Sequence, residues 1–289
     1  LAMYPKYIIY PIGICMLCAL IVSCSNGQKH VQERSDSDSV AVPVKNIEVS
    51  LLLTDEELAG ESVYNDRVDE LFDDFLYNYI HDKELRHKRT KFPLKEHLSD
   101  GSMRTVSEDM WHEVFDFMDK EYTTTIYNNE QEKSITEDTS LTQASLERID
   151  LVKHVVTSYD FVKEDGKWIL SSVRNLNFKE SDLSDFLSFY SRFAQDTAFR
   201  SKSLARSIRI SMLDPEDDTQ MIEGFITRDQ WITVDGGIPE GIITNIRYGQ
   251  RYKRARNILM EKISMGNGMS ETFFFSKNGR KWEMVGYEN

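Results

Sequence analysis

The feature that most constrains the fold is a hairpin pattern that occurs twice. Residues 161–170 read Phe-Val-Lys-Glu-Asp-Gly-Lys-Trp-Ile-Leu, and residues 275–284 read Phe-Ser-Lys-Asn-Gly-Arg-Lys-Trp-Glu-Met. Each centres on an Asp-Gly or Asn-Gly pair, which tolerates the positive φ angles of a tight hairpin turn. Because Trp168 and Trp282 lie 114 residues apart, the pattern predicts a duplicated fold in which both tryptophans are core residues.

A helix pattern recurs at the same spacing. Residues 68–79 carry apolar side chains at the i, i+3, i+4 and i+7 positions of one helical face, and residues 186–193 repeat that face. The matched aromatic and apolar pairs are Phe72/Phe186, Phe75/Phe189, Leu76/Tyr190 and Tyr79/Phe193. Asp82 and Asp196 follow the two helices, and we expect each to cap a second short helix by accepting its free amides.

Further elements complete each copy of the repeat. Trp111 and Trp231 lie 120 residues apart, so the copies differ in loop length by six residues around them. β-Branched and aromatic residues predict strands at 122–127, 149–156, 242–248 and 258–263. A helix pair over several antiparallel strands is an α+β arrangement, and the predicted architecture is therefore two tandem cones, each a curved antiparallel sheet packed against N-terminal helices.

The first 24 residues are predicted to be an export signal. Lys6 precedes an apolar stretch at 7–22, which is shorter than the roughly 20 residues of a transmembrane helix. The stretch closes in Leu-Ile-Val-Ser-Cys at 20–24, which resembles the bacterial lipoprotein box. That resemblance implies cleavage before Cys24 and lipid attachment to its sulfur. All three cysteines lie in this segment, so we expect no internal disulfide in the mature chain.

Composition divides the chain after residue 24 into a polar segment and a folded region. Residues 25–49 are polar and of low complexity, and we expect a flexible tether because they cannot bury enough apolar surface to offset their ordering entropy. Thr54 and Glu57 form a capping-box pattern for a short helix. The predicted domains are then residues 50–178 for the first cone and residues 179–289 for the second.

The lipoprotein box, the repeat of about 114 residues and the order of elements together resemble a known family. It is the uncharacterised lipoproteins of Bacteroides-type bacteria with two tandem nuclear transport factor 2-like, or cystatin-like, domains. The shared motifs are structural: the Phe-x-x-Phe helix, the Asp-x-x-(Leu/Phe)-Arg-x-Lys step and the Lys-Trp hairpin. The resemblance therefore implies a fold rather than an activity. Members of the wider superfamily include isomerases, dehydratases, epoxide hydrolases and plain binding proteins.

An enzyme of this class needs a base in an apolar pocket, opposed by a tyrosine or an acid. The candidates are Asp109, His112, Tyr127, His154 and Asp229. The two aspartates precede tryptophans at element boundaries, where capping is the ordinary role, and the second repeat has no histidine. His154 alternates with valines on the predicted strand at 149–156, which makes it a candidate pocket group. We assign no catalytic residue from the sequence.

The sequence also predicts neither a cofactor nor a metal. The folded region has no Cys-x-x-Cys, no His-x-x-x-His, no EF-hand loop and no glycine-rich phosphate loop. The acidic stretch at 214–218 lacks the alternating spacing of a calcium loop and is expected to be a solvated turn.

Charge is distributed unevenly. Residues 25–180 carry a net charge of −14, whereas residues 181–289 hold 15 cationic and 15 acidic residues. This balance opposes nucleic-acid binding. One stretch, Arg-Tyr-Gly-Gln-Arg-Tyr-Lys-Arg-Ala-Arg at 247–256, is basic and aromatic, and we consider it either a solvated loop or a contact for an acidic glycan, a lipid headgroup or the acidic first repeat. The candidate contact residues are Arg247, Arg251, Lys253, Arg254 and Arg256.

These observations favour a lipid-anchored envelope protein of the outer membrane, at its periplasmic face or at the cell surface, that acts as a non-catalytic binding module. Its ligand would be a small apolar molecule, a glycan or an envelope protein, in a pocket rimmed by Trp111, Trp231 or His154. Two alternatives remain: an isomerase- or hydrolase-like enzyme using one cone, and a structural envelope component with filled cones and an exposed apolar patch.

The lipid anchor is directly testable. Replacing Cys24 with Ser removes the sulfur that carries the lipid, so we expect the variant to leave the membrane fraction and to lose incorporation of radiolabelled palmitate. A Cys18→Ser variant, altered at a cysteine inside the predicted signal, is the matched control and should stay acylated. Acylation of the Cys24→Ser variant would contradict the assignment.

Overall fold

The computed structural model describes residues 71–111, 122–214, 220–234, 237–264 and 268–289. These residues belong to one compact unit, Asp55–Asn289. The predicted signal, tether and Thr54 helix lie outside the described residues, as do His112 and most of the acidic stretch at 214–218. The described helices are α1 Phe72–His81, α2 Lys83–Lys88, α3 Ser184–Gln195, α4 Thr197–Lys202 and α5 Arg228–Val234.

Twelve described strands form two six-stranded sheets. The first six strands are β1 Thr90–His97, β2 Met103–Val106, β3 Tyr122–Tyr127, β4 Gln143–Asp150, β5 Val155–Glu164 and β6 Lys167–Asn177. The other six are β7 Leu204–Leu213, β8 Met221–Thr227, β9 Ile242–Arg247, β10 Asn257–Ser264, β11 Ser270–Asn278 and β12 Lys281–Glu288. Sheet 1 has the order β2-β1-β6-β5-β4-β9, and sheet 2 has the order β3-β10-β11-β12-β7-β8. All pairs are antiparallel except β1 with β6 and β7 with β12.

Each sheet packs against one helix through a ring cluster. In the first, Phe161 of β5 meets Phe72, Phe75 and Tyr79 of α1 with ring centroids 5.2–5.6 Å apart. In the second, the equivalent Phe275 of β11 meets three rings of α3 at 5.3–5.7 Å. Edge contacts of this kind add to the burial of apolar area. The space between helix and sheet is therefore occupied by aromatic side chains, and the α+β prediction is confirmed.

The predicted aspartate caps are confirmed. Asp82 accepts from the Leu85 amide at 3.0 Å, and Asp196 accepts from the Phe199 amide at 2.9 Å. The arginine of the same motif has a separate role, because Arg86 donates to the last carbonyls of α1. Its counterpart Arg200 does the same for α3. The motif thus fastens each short helix to the exposed carbonyl end of the preceding helix.

Both predicted hairpins form, and their tryptophans are buried. In the first, Asp165 and Gly166 have φ angles of 50° and 77°, as a two-residue hairpin turn requires. In the second the prediction is off by one residue, because Asn278 still pairs with Lys281 and the turn is Gly279-Arg280. One additional residue separates glycine from tryptophan in this copy, and moving the turn keeps Trp282 facing the core.

One predicted strand is wrong. Residues 149–156 are not continuous, because β4 ends at Asp150, a turn follows and β5 begins at Val155. The Asp150 carboxylate closes this turn by accepting from the amides of Val152 and Lys153 at 3.0 and 2.8 Å. His154 has a φ of 57° in the turn and does not lie on a strand face.

The two sheets exchange one strand each. β9, which follows α5 late in the chain, pairs with β4 of sheet 1, whereas β3 pairs with β10 of sheet 2. The predicted boundary at 178/179 stays a prediction, but neither sheet is built from one side of it alone. Among the described helices, none is both long and apolar enough to span a bilayer.

Where the exchanged strands cross, Thr124 of β3 and Thr244 of β9 form what we call the threonine clasp. Each hydroxyl accepts from the other residue's amide and donates to its carbonyl, which makes four hydrogen bonds of 2.5–3.0 Å. Both residues are buried. Beside the clasp, Asn245 Oδ1 accepts from the Ile126 amide at 2.9 Å. Side chains thereby satisfy backbone groups that an edge strand leaves unpaired.

Removing one hydroxyl of the clasp leaves a buried amide and carbonyl without a partner. We expect Thr124→Val and Thr244→Val each to lower the free energy of unfolding by about 2 kcal/mol, measured from urea denaturation midpoints. Thr123→Val, on the neighbouring position of the same strand, makes the same chemical change at a hydroxyl that has no hydrogen-bond partner among the residues that the structure describes. Equal midpoints for the Thr124 and Thr123 variants would contradict the role of the clasp.

Candidate functional site

The basic stretch predicted from the sequence forms a loop between β9 and β10. We call Tyr248–Arg256 the basic loop. Its two tyrosines are buried: the Tyr248 hydroxyl donates to Asp73 in α1, and the Tyr252 hydroxyl donates to the Ile126 carbonyl at 2.8 Å. The cations Arg251, Lys253, Arg254 and Arg256 are exposed. The tyrosines thus anchor the loop, which holds the cations at the surface.

Arg247, also predicted as a contact residue, is instead part of an internal ion-pair network. Its guanidinium lies 3.3 Å from Glu147 and 3.0 Å from Asp182, and it donates to the Gln250 carbonyl at 2.8 Å. Arg247 is therefore engaged by the protein itself. Its acidic partners are Glu147 of β4 and Asp182, which precedes α3.

Glu147 is the most deeply buried acid of this network, with 2% of its surface exposed. Burial raises the pKa of its carboxyl, while the charge of Arg247 and hydrogen bonds from Asn245 and Arg247 oppose the rise; the net pKa lies above its ordinary value. Asn245 Nδ2 donates to Glu147 at 2.8 Å. Since Asn245 also binds β3, the network joins the strand crossing to the basic loop.

A groove of about 470 Å³, groove A, opens beside the basic loop. It is lined by residues 179–186, which lead into α3, by residues 252–256 and by the β11–β12 hairpin. On the hairpin side, Asp185 accepts from Lys277 and from Trp282 Nε1. Partial burial works to raise the pKa of Asp185, but the hydrogen bonds from Lys277 and Trp282 outweigh it and hold the pKa below its ordinary value. Asp185 is therefore an already paired anion.

The cations of groove A have a different status. Lys179, Lys253, Arg254 and Arg256 line the groove, and none has a hydrogen-bond or ion-pair partner within the part of the chain that the structure describes. The groove thus presents unpaired positive charge that an anion would complete.

A second groove, of about 420 Å³, lies on the other side of the basic loop. We call it groove C. Its cations are largely neutralised, because Arg174 binds both oxygens of Asp160 at 2.6 and 2.7 Å and Arg247 is held as described above. Among the residues lining groove C, Arg251 contributes a guanidinium that has no partner in the described part of the chain. Groove A is therefore the stronger candidate for an anion.

The three predicted pocket-rim residues lie apart from these grooves. Trp231 is only 3% exposed and packs edge-on against Tyr287. Trp111 packs against Phe92 and His87. Their rim role stays a prediction that grooves A and C do not support.

His154 was also predicted near a pocket. Its ring stacks on Phe178, and its Nε2 lies 3.0 Å from the Ser191 hydroxyl. These contacts account for its position on the outside of the turn after β4, and it lines neither groove A nor groove C.

The remaining catalytic candidates do not converge on a groove. Asp109 is exposed, and hydrogen bonding from Ser107 holds the pKa of its carboxyl below the ordinary value. Asp229 is exposed in the first turn of α5. Tyr127 is buried, and desolvation followed by the charges of Glu261 and Asp73 raises its pKa. Among the described residues, no three His, Cys, Asp or Glu side chains are grouped so as to hold a metal.

One enclosed carboxylate does face a tyrosine. Asp73 and Tyr248 share a short hydrogen bond, and burial raises the pKa of both groups. Sequence reasoning missed this pair because the partners are 175 residues apart. The only local sign of the pair was the position of Tyr248 in buried, aromatic surroundings at the start of the basic loop. Neither residue lines groove A or groove C.

Curved, mainly antiparallel sheets under helix pairs define an α+β protein of the NTF2-like class. A crystal structure of an NTF2-like protein from Bacteroides fragilis is similar, with a TM-score of 0.69 and 28% sequence identity over 77% of this chain and 97% of that one. The model of the DUF4348 family, a domain of unknown function, matches residues 53–289, and the chain belongs to this family. A search of curated proteins found no match.

The internal ion pair generates a pH-dependent prediction. Without Arg247, the buried Glu147 carboxylate loses its main counter-charge, so its folded-state pKa rises further above the unfolded value. We expect Arg247→Ala to cost about 3 kcal/mol of unfolding free energy at pH 7. The cost should shrink as the pH falls towards 4, because a Glu147 carboxyl with a raised folded-state pKa becomes protonated and no longer needs the counter-charge.

Urea denaturation at the two pH values measures this difference. Arg251→Ala removes an exposed arginine four residues away that is unpaired among the described residues, and it should change the unfolding free energy by less than about 0.5 kcal/mol at either pH. A pH-independent cost for Arg247→Ala would show that Glu147 does not depend on this charge.

Proposed function

We propose that this chain is a lipid-anchored protein of the bacterial cell envelope that binds an anionic ligand in groove A and catalyses no reaction. The observation that carries the proposal is the set of unpaired cations on the basic loop, Lys253, Arg254 and Arg256, which face a groove of about 470 Å³. Long side chains with free charged groups at a concave surface favour carboxylate, sulfate or phosphate groups.

The rigidity of the loop supports the proposal. Tyr248 and Tyr252 attach it to α1 and to β3, so its cations are held near their binding positions before a ligand arrives. A preorganised site loses less conformational entropy on binding. The lipoprotein box at Cys24 supports attachment to the outer membrane, at its periplasmic face or at the cell surface.

The enzyme alternative rests on a specific observation, the Asp73–Tyr248 hydrogen bond with its raised pKa values. A carboxyl and a phenol in contact are a familiar acid–base pair. Here the pair also anchors the basic loop, and it lines neither of the grooves beside that loop. The binding function therefore accounts for more of the described geometry.

The structural-component alternative also has an observation behind it. Apolar side chains are exposed on and beside the edge strand β8, with Phe225 73% exposed and Met221 48% exposed. Such a row suits contact with another protein. Its one charged side chain on β8 is the exposed Glu223, and a single carboxylate does not select one class of partner, so we rank this row below groove A.

The binding proposal is tested with digalacturonate, a disaccharide with two carboxylates, titrated into the full chain in detergent by calorimetry. Replacing Lys253, Arg254 and Arg256 with Gln should weaken binding at least about tenfold, since each charged hydrogen bond contributes roughly 1.5–3 kcal/mol.

Replacing Lys83, Lys88 and Lys95 with Gln removes the same charge from exposed lysines of the first half and should leave the affinity within about twofold, because isolated surface charges contribute little. If the two triple variants weaken binding equally, groove A is not the site. If the unaltered chain does not bind digalacturonate, the proposed function fails for this class of anion.

A further inference from the structure

A second basic groove adjoins groove A. Groove B, of about 510 Å³, is lined by the outer side of α3, by α4 and by the start of β12. Its lining includes the half-buried rings of Phe189 and Phe199 and the cations Arg192, Lys202, Arg280 and Lys281. Arg192 lies over the Phe199 ring at 4.2 Å. Lys202, Arg280 and Lys281 have no charged or hydrogen-bonding partner among the described residues.

The two grooves lie on either side of the β11–β12 hairpin. They share two lining residues, Asp185 and Trp282, which form the wall between them. The turn Gly279-Arg280 contributes Gly279 to groove A and Arg280 to groove B. The grooves therefore adjoin at these shared residues and at the hairpin turn, close enough for one chain-like ligand to contact both.

Together the grooves concentrate charge of the opposite sign to the rest of the protein. Nine lysines and arginines line them against four carboxylates, whereas the whole chain carries a net charge of −13. Two of the carboxylates, Asp182 and Asp185, are already paired with Arg247 and Lys277. A cationic surface on an acidic protein attracts a polyanion locally while the remaining surface repels it, which fixes where the polyanion binds.

We propose that grooves A and B together bind one extended polyanion, an acidic polysaccharide chain that carries carboxylates on successive sugars. The proposal rests on the proposed function of groove A and names the class of its ligand. Spaced unpaired cations along two connected grooves match charges repeated along a polymer, and each groove adds contacts to the same chain.

The side chains around grooves A and B disfavour an anionic membrane or a nucleic acid as the ligand. None of the large hydrophobic side chains exposed among the described residues lines either groove, and the apolar rings of groove B, Phe189 and Phe199, are half-buried, so no projecting apolar side chain accompanies the cations into a bilayer. Of the rings that line the grooves, Trp282 and Tyr252 are buried, Phe189 is half-buried and Phe199 is covered on one face by Arg192, so little open ring face is left on which bases would stack.

The test compares oligogalacturonates of two and eight units by calorimetry on the full chain in detergent. We expect the octamer to bind at least about tenfold more tightly than the dimer and with a steeper salt dependence, because it displaces more counterions. The triple variant Lys202→Gln, Arg280→Gln, Lys281→Gln should lower octamer affinity about tenfold and leave dimer affinity within about twofold.

The control is again the Lys83, Lys88 and Lys95 triple variant, and unchanged thermal midpoints establish that both variants fold. Dimer binding with no gain for the octamer would overturn the two-groove site and leave groove A standing. If neither the dimer nor the octamer binds, both proposals are overturned. If the groove B variant weakens binding to phosphatidylglycerol vesicles or to single-stranded RNA while the octamer does not bind, the polysaccharide assignment is wrong.

Discussion

The four hydrogen bonds between Thr124 and Thr244 hold the point at which the two sheets depend on each other. β3 and β9 each form one edge of a sheet, and an edge strand carries amides and carbonyls that need partners. The hydroxyl groups of the opposite strand supply them, and Asn245 and Tyr252 do the same for Ile126. Each sheet therefore takes one edge strand from the other half of the chain. Side chains from the opposite sheet also supply some of the hydrogen bonds that the backbone of that edge strand needs.

The candidate site follows from this exchange. Because β9 lies in sheet 1 and β10 lies in sheet 2, the connection between them has to run from one sheet to the other, and that connection is the basic loop. Arg247, the last residue of β9 before this loop, is paired in the network with Glu147 and Asp182. The cations of the loop are exposed beside the buried tyrosines, and their side chains form no ion pair with any described residue. Groove A is thus a consequence of how the halves are joined.

Sequence patterns predicted well the parts that depend on near neighbours. The Phe72 and Phe186 helices, the caps at Asp82 and Asp196 and the buried Trp168 are set by residues a few positions away. The wrong strand at 149–156 also comes from reading near neighbours. Its β-branched residues favour a strand, whereas the Asp150 carboxylate closes a turn within it. The sequence predicted the exposed cations of the candidate site. It did not predict that Arg247 pairs internally, because its partner Glu147 lies 100 residues away.

By itself the sequence determined the helix pairs, the two hairpins and the concentration of positive charge in one stretch, because periodicity, capping and turn chemistry act over one or two turns of chain. Only the tertiary structure decided that β3 and β9 change sheets, that Arg247 is neutralised while Lys253 and Arg254 are not, and that two grooves meet around one hairpin. These outcomes depend on pairing and charge compensation between residues about 100 positions apart. The free energies of such contacts are set by burial and geometry, which no local pattern records.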